Sequence, residues 1–124
     1  MRDPAIPFAP WRIPGILAGT ITETRRVILP SCSIAWTFKN GFFSILHHPT
    51  VLCEVLELRE ERLHDITHES MTAEGVLDWP EPFDCKDKDT FLQELYQHVW
   101  DMTSGTPWKE NPAVRVVKFR HAEL

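Results

Sequence analysis

The run Thr22-Glu23-Thr24-Arg25-Arg26 carries the side chains in this 124-residue chain that are best suited to grip a phosphate. A guanidinium donates two parallel hydrogen bonds to an oxyanion, and the hydroxyls of Thr22 and Thr24 add donors beside it. Arg25 and Arg26 are consecutive, so on a strand they point to opposite faces. One of them at most then lines a given cleft, and the other pairs with a surface carboxylate. Trp108 follows Gly105 and Pro107 in a loop, where its ring is free to stack on a base. Trp36, Phe38, Phe42 and Phe43 offer a second aromatic platform but read as core, as alternating strand aromatics usually are. His64 and His68 stand four apart, loosely like the zinc motif H-E-x-x-H, with Asp65 in place of its glutamate. Thr67 starts a helix between them and breaks their common face, so no metal site is expected. His47-His48, before Pro49, read as loop. Cys32, Cys53 and Cys85 contain no CxxC pair, which argues against a disulfide framework and a structural zinc. No cofactor is expected.

The elements that must position these groups follow from punctuation and periodicity. The first ten residues contain Pro4, Pro7 and Pro10 and read as an extended lead-in. Pro14 suits the first turn of a short helix that Gly19 closes. Residues 22–29 are rich in β-branched side chains and read as a strand ended by Pro30. Asn40-Gly41 is a hairpin signal between strands at 34–38 and 42–46. Another strand covers 51–58. Thr67 is an N-cap for a helix closed by Gly75, and 76–89 forms a loop. Thr90-Phe91-Leu92-Gln93 has the form of a capping box. It opens a helix with Phe91, Leu95, Val99 and Met102 on one apolar stripe and Leu92, Tyr96 and Trp100 beside it. The last strand spans 113–119. This order is not an alternating βαβ pattern, and it predicts one α+β domain over 1–124, a small, mostly antiparallel barrel with two or three flanking helices.

Charge is unevenly spread. All but three of the 18 acidic residues, Asp3, Glu23 and Glu123, lie between positions 54 and 110, although the formal net charge is only −5. Arg2, Arg12, Arg25, Arg26 and Lys39 near the start, and Arg115, Lys118 and Arg120 near the end, would make a basic patch if the two ends met. The acidic middle is either a solvated face or a surface for a basic protein partner. No apolar run approaches membrane-spanning length, and the proline-broken start does not form a signal-peptide pattern. A cytoplasmic protein without membrane association is the expectation.

Three ordered segments resemble the ASCH family of PUA-like barrels, in its phage and prophage type. Residues 16–26, Ile-Leu-Ala-Gly-Thr-Ile-Thr-Glu-Thr-Arg-Arg, are similar to its helix, glycine turn and Thr/Arg-rich strand. Glu61-Arg62-Leu63-His64-Asp65-Ile66-Thr67, followed by Ala73-Glu74-Gly75, is similar to its "RLQDIT…AEG" segment. Trp108, Asn111-Pro112 and the strand from Val114 to Phe119 resemble its close. Departures are Ile21 where the family often has lysine, Gly41-Phe42 for a "GD" turn, and Ala113 and Arg115 for two tryptophans.

The resemblance implies a PUA-like barrel. It also implies a module binding single-stranded RNA or a modified nucleotide, in a cleft between the 19–26 segment and the 67–75 helix. Thr22, Thr24, Arg25, Arg26 and Trp108 would bind, and Glu74 would accept from an exocyclic base amine. An alternative implied by the family is an amidohydrolase of N4-acylcytidine type, or an RNase, with Thr24 and Glu74 as catalytic residues. Ile21 would deprive that site of its lysine. A third reading is a phage-derived inhibitor that presents the acidic surface to a host nucleic-acid enzyme.

Overall fold

The computed structural model describes residues 5–28, 41–85 and 87–122. Its helices begin and end where local chemistry dictates. A 3-10 turn at Pro10–Arg12 runs into α1 (Ile13–Ala18), with Pro14 in the first turn, where a missing N–H costs nothing. Gly19 ends it in the left-handed region at φ 82°, its N–H meeting the carbonyls of Gly15 and Ile16. Thr67 caps α2 (His68–Ala73) by accepting a 3.1 Å hydrogen bond from Ser70 N. The longest helix is α3 (Phe91–Thr103).

The strands are β1 (Ala5–Ile6), β2 (Glu23–Val27), β3 (Phe42–Ile45), β4 (His48–Arg62) and β5 (Ala113–His121), in the spatial order β1-β3-β4-β5-β2. Every neighbouring pair is antiparallel except β1 with β3. This is the expected α+β class, with a mostly antiparallel sheet and, among the described residues, three α-helices. Among the described residues the ladder is open between β1 and β2. The sheet nevertheless curls until its edges meet through side chains: Arg26 on β2 donates to the carbonyl of Pro7, just past β1, at 2.6 Å. Phe8 beside that bond lies 6.3 Å from the Phe43 ring and 5.9 Å from Phe119.

The sheet buries both faces of β5. Val114 and Val116 join Leu63, Ile66, Met71, Leu95, Val99 and Trp100 under α2 and α3. Val117 and Phe119, half a pleat out of phase, join Ile6, Ile16, Ile21, Phe43 and Ile45 on the other side. A bulge divides β4, where the register passes from Val55↔Phe119 to Glu57↔Lys118 and leaves Leu56 without an opposite residue and 57% exposed.

Several expectations need correction. The lead-in is not merely extended, since Ala5–Ile6 pairs in parallel with β3 and a 3-10 turn follows. The hairpin seen turns at Leu46-His47, with His47 at φ 69°; Asn40 and the strand expected at 34–38, with Trp36 and Phe38, lie outside the described residues. The 51–58 strand extends from 48 to 62. The 76–89 segment includes 3-10 turns at Val76–Asp78 and Lys88–Thr90, and Val76 is wholly buried. Thr90 forms no capping box: Asp87 accepts from Asp89 N at 2.9 Å, and the Thr90 hydroxyl is turned back on the Asp87 carbonyl. Met102 is 62% exposed, because the buried face of α3 is Leu95, Tyr96, Val99 and Trp100.

The basic tail meets the basic start at one point, Arg115 standing opposite Arg26 across the β2–β5 pair, but its charges are drawn to the other side. It lies antiparallel to the acidic half of β4, and opposite charges face each other across the pair. Arg120 binds Glu54 at 2.6 Å, Arg115 binds Glu60 at 3.0 Å, and Lys118 reaches Glu57 at 3.6 Å. The acidic run of β4 is therefore largely neutralised by its own neighbour strand. No helix among the described residues is long and apolar enough to cross a membrane.

Candidate functional site

Four separate segments converge on a cavity of about 460 Å³. The lead-in supplies Pro7, Phe8, Ala9, Trp11 and Arg12, and β2 supplies Arg25 and Arg26. Glu74 enters from the end of α2, and α3 supplies Tyr96, Val99, Trp100 and Thr103. The gap expected between the 19–26 segment and the 67–75 helix is closed instead. Thr22 N donates to Ala73 O at 2.8 Å, and Ile21 fills the space between Gly15 and Gly75. A Cβ added at either glycine would fall 2.6 Å from Ile21 Cγ1. Both segments do contribute to the real pocket, but it opens on the side of α3 and the lead-in.

Arg25 anchors the buried wall. Its Nη1 donates to Glu23 at 3.2 Å and to Glu74 at 3.0 Å, and its Nε and Nη2 donate to Glu61 at 3.0 and 2.6 Å. Burial opposes its charge, but Glu74 and Glu61 outweigh that cost and hold the guanidinium more firmly protonated than usual. Glu74 Oε2 also accepts from the Tyr96 hydroxyl at 2.9 Å. Burial raises the Glu74 pKa, while Arg25, Arg12 and the tyrosine bond pull it back without cancelling the rise. Tyr96 is pushed well up, by burial first and then by Glu74. Glu23 completes the cluster by accepting from Ser70 Oγ at 3.2 Å.

Arg12 and Arg26 differ from Arg25 in being under-used. The Arg26 Nε donates to Thr24 Oγ1 at 3.1 Å and its Nη2 to Pro7, leaving Nη1 without a partner among the described residues. Its Cζ lies 5.0 Å from the centre of the Phe8 ring. The Arg12 guanidinium has no hydrogen bond among the described residues, and its Nε is buried. That head lies over the Trp11 ring, 4.6 Å from its centre, a cation–π contact. Burial lowers the Arg12 pKa, with Glu74 opposing. Burial and then repulsion by Arg12 bring Arg26 down to about 10. The two cations thus sit close enough to feel each other.

The sequence-derived candidates divide accordingly. Arg25, Arg26 and Glu74 meet at the cavity. Both arginines line it despite their opposite faces, because β2 is an edge strand and long side chains reach round an edge. Arg25 pairs with buried carboxylates rather than with a surface one. Thr24 is buried and serves as the acceptor that holds Arg26. Thr22 is taken up by backbone bonds to Ala73 and Phe119. Trp108 stacks on His64 at 4.4 Å and meets Tyr96 edge-on at 6.0 Å, at a separate shallow groove. His64 Nε2 lies 2.6 Å from the Trp108 carbonyl, so this ring pair belongs to the packing of that corner. No hydrogen bond joins Thr24 to Glu74 among the described residues, and Ile21 is buried in the core. Arg12, Trp11, Phe8, Tyr96 and Trp100 were not singled out as site residues. Their only signal was residue type, a Trp-Arg pair in a proline-rich segment and aromatics on an amphipathic helix.

No family model matches the chain, and no curated protein matches it. Among solved structures, it is similar to the ASCH domain from Lactobacillus crispatus JV V101, at 11% identity with a TM-score of 0.47, over 87% of this chain and 68% of that one. No family membership, residue role or ligand is carried across on that likeness.

Proposed function

We propose that the chain is a binding module for single-stranded RNA or a modified nucleotide, held in the pocket between the lead-in, β2 and α3. The observation that carries the reading is the pairing of under-used guanidiniums with aromatic walls. Arg12 and Arg26 keep free donors at a cavity that Phe8, Trp11 and Trp100 also line. Guanidinium forks take phosphate oxygens, and base faces stack on aromatic rings whatever their sequence. A volume of about 460 Å³ is within the range of small-ligand sites. Glu74, fixed by Arg25 and Tyr96, supplies an acceptor for an exocyclic amine on the wall they share. Binding is favoured over amide hydrolysis because Thr24 and Glu74 are engaged by different partners and Ile21 packs in the core.

The test is fluorescence anisotropy of labelled single-stranded RNA at several salt concentrations. Wild-type protein should bind more weakly as salt rises, and Arg12→Ala should weaken binding and flatten the log–log salt slope by about 0.7, the value for one phosphate contact. Arg120→Ala, which removes an exposed ion pair with Glu54 outside the cavity lining, should leave both unchanged. RNA affinity that is the same for wild type and Arg12→Ala would move the binding surface elsewhere.

A further inference from the structure

We infer that the groove at Trp108 is a second nucleotide subsite, which takes the strand neighbour of the nucleotide held in the cavity. The ligand is then a stretch of single-stranded RNA at least two nucleotides long, rather than a free mononucleotide. The inference deepens the reading above and rests on it for the first of the two subsites.

The two concavities share a wall that ends in a thin rim. Consecutive residues of α3 divide between them: Tyr96 and Trp100 line the cavity, Gln97 and Asp101 the groove. Past the helix end the division falls within one peptide unit, with Ser104 on the cavity and Gly105, at φ 79°, on the groove. Consecutive Cα atoms are about 3.8 Å apart, so the rim is one residue thick. It is held in place, because the Thr106 carbonyl accepts from Trp100 Nε1 at 2.7 Å and from Ser104 Oγ at 2.9 Å. A single strand crosses so narrow a rim with its bases splayed to either side.

The groove carries what a second base needs. Trp108 is half-buried and lines it, its ring fixed by the stack on His64 at 4.4 Å and the edge contact with Tyr96 at 6.0 Å. A ring already held by its neighbours loses little freedom when a base stacks on it. The Gln97 amide makes no hydrogen bond among the described residues and can both donate and accept at a base edge. Asp101 commits Oδ1 to Trp108 N at 2.7 Å and keeps Oδ2 for a ribose 2′-hydroxyl. Lys109 is exposed and has no ion pair among the described residues, which leaves its ammonium for a strand phosphate. The charges of Asp101 and Lys109 cancel, so the stack on Trp108 carries the subsite.

The experiment titrates 5′-phosphorylated oligocytidylates of one, two, three and four nucleotides calorimetrically into the protein. The second nucleotide should tighten binding at least about tenfold, as a stacked base does, and the third and fourth only a few-fold. Trp108→Ala should bring the gain from the second nucleotide close to one and leave the affinity for cytidine monophosphate within a few-fold, which shows the cavity intact. Lys109→Glu changes an exposed side chain without a partner among the described residues, so its urea midpoint should match that of wild type. It should weaken dinucleotide binding several-fold and spare the mononucleotide. Equal affinity for one and two nucleotides overturns the inference and leaves the cavity reading standing, as does a gain that survives both variants or first appears at the third nucleotide. Binding lost in Trp108→Ala but untouched by Arg12→Ala overturns the cavity reading and leaves the groove as a nucleotide site. If no length binds, both fall.

Discussion

Gly75 is where the geometry of the pocket depends most directly on one missing methyl group. It follows Glu74 in the chain, sits at φ 84°, and faces Ile21 across a contact that a Cβ could not share. Gly75→Ala therefore carries two costs. Holding alanine in the left-handed region costs about 1–2 kcal/mol, and forcing the methyl into Ile21 costs about 1–3 kcal/mol. The expected loss is about 2–5 kcal/mol of unfolding free energy, read from urea denaturation. Gly15→Ala separates the terms, because its Cβ meets the same Ile21 atoms from inside α1, with no positive φ. There the clash is partly offset by a helix-propensity gain of about 1 kcal/mol, so the net loss should be about 0–2 kcal/mol. Ile21→Ala supplies the double-mutant cycle. Removing Cγ1 and Cδ1 clears the space, and the Gly75→Ala/Ile21→Ala pair should lose about 1–3 kcal/mol less than the sum of the single changes. An additive pair, or a Gly75→Ala variant no less stable than Gly15→Ala, would refute the reasoning.

Two further predictions concern the buried charges. Arg25→Ala strands Glu23, Glu61 and Glu74 in the interior and should destabilise by about 3–5 kcal/mol in chemical denaturation, so it reports on folding rather than on ligand contact. Glu74 has a folded pKa above that of a free carboxyl, so its stabilising effect is complete below the unfolded value and is lost as pH rises through the folded one. Urea midpoints compared between about pH 4 and about pH 8 should show wild type losing ground to Glu74→Gln with rising pH; a constant difference would contradict the assignment.

Local signals were legible wherever one residue decides a backbone conformation. Gly19 and Thr67 end and start helices as their chemistry requires, and residues 23–27 form the expected strand. The Thr90 box had the right letters, but Asp87 stands three residues earlier, and its side chain caps a 3-10 turn that absorbs Thr90. A two-residue strand such as Ala5–Ile6 has no periodicity to read. The length of β4 was hidden because Glu57, Glu60 and Glu61 look like a solvated run until Lys118, Arg115 and Arg25 lie beside them. Arg12 illustrates the limit for the site. Its importance lies in what does not bond to it, and that is a property of packing between residues far apart in sequence.

The position of β5 governs the order in which the molecule can assemble. Residues 113–121 are the bridge between β4 and β2, so until they emerge from a ribosome the sheet consists of a hairpin with its short edge strand and a separate, unpaired β2. Every contact that joins those parts through the sheet spans a long stretch of chain, which slows closure and favours an all-or-none transition. Nascent chain ending before residue 113 exposes both the long edge of β4 and that of β2, and would depend on holdase protection or risk pairing with a second copy.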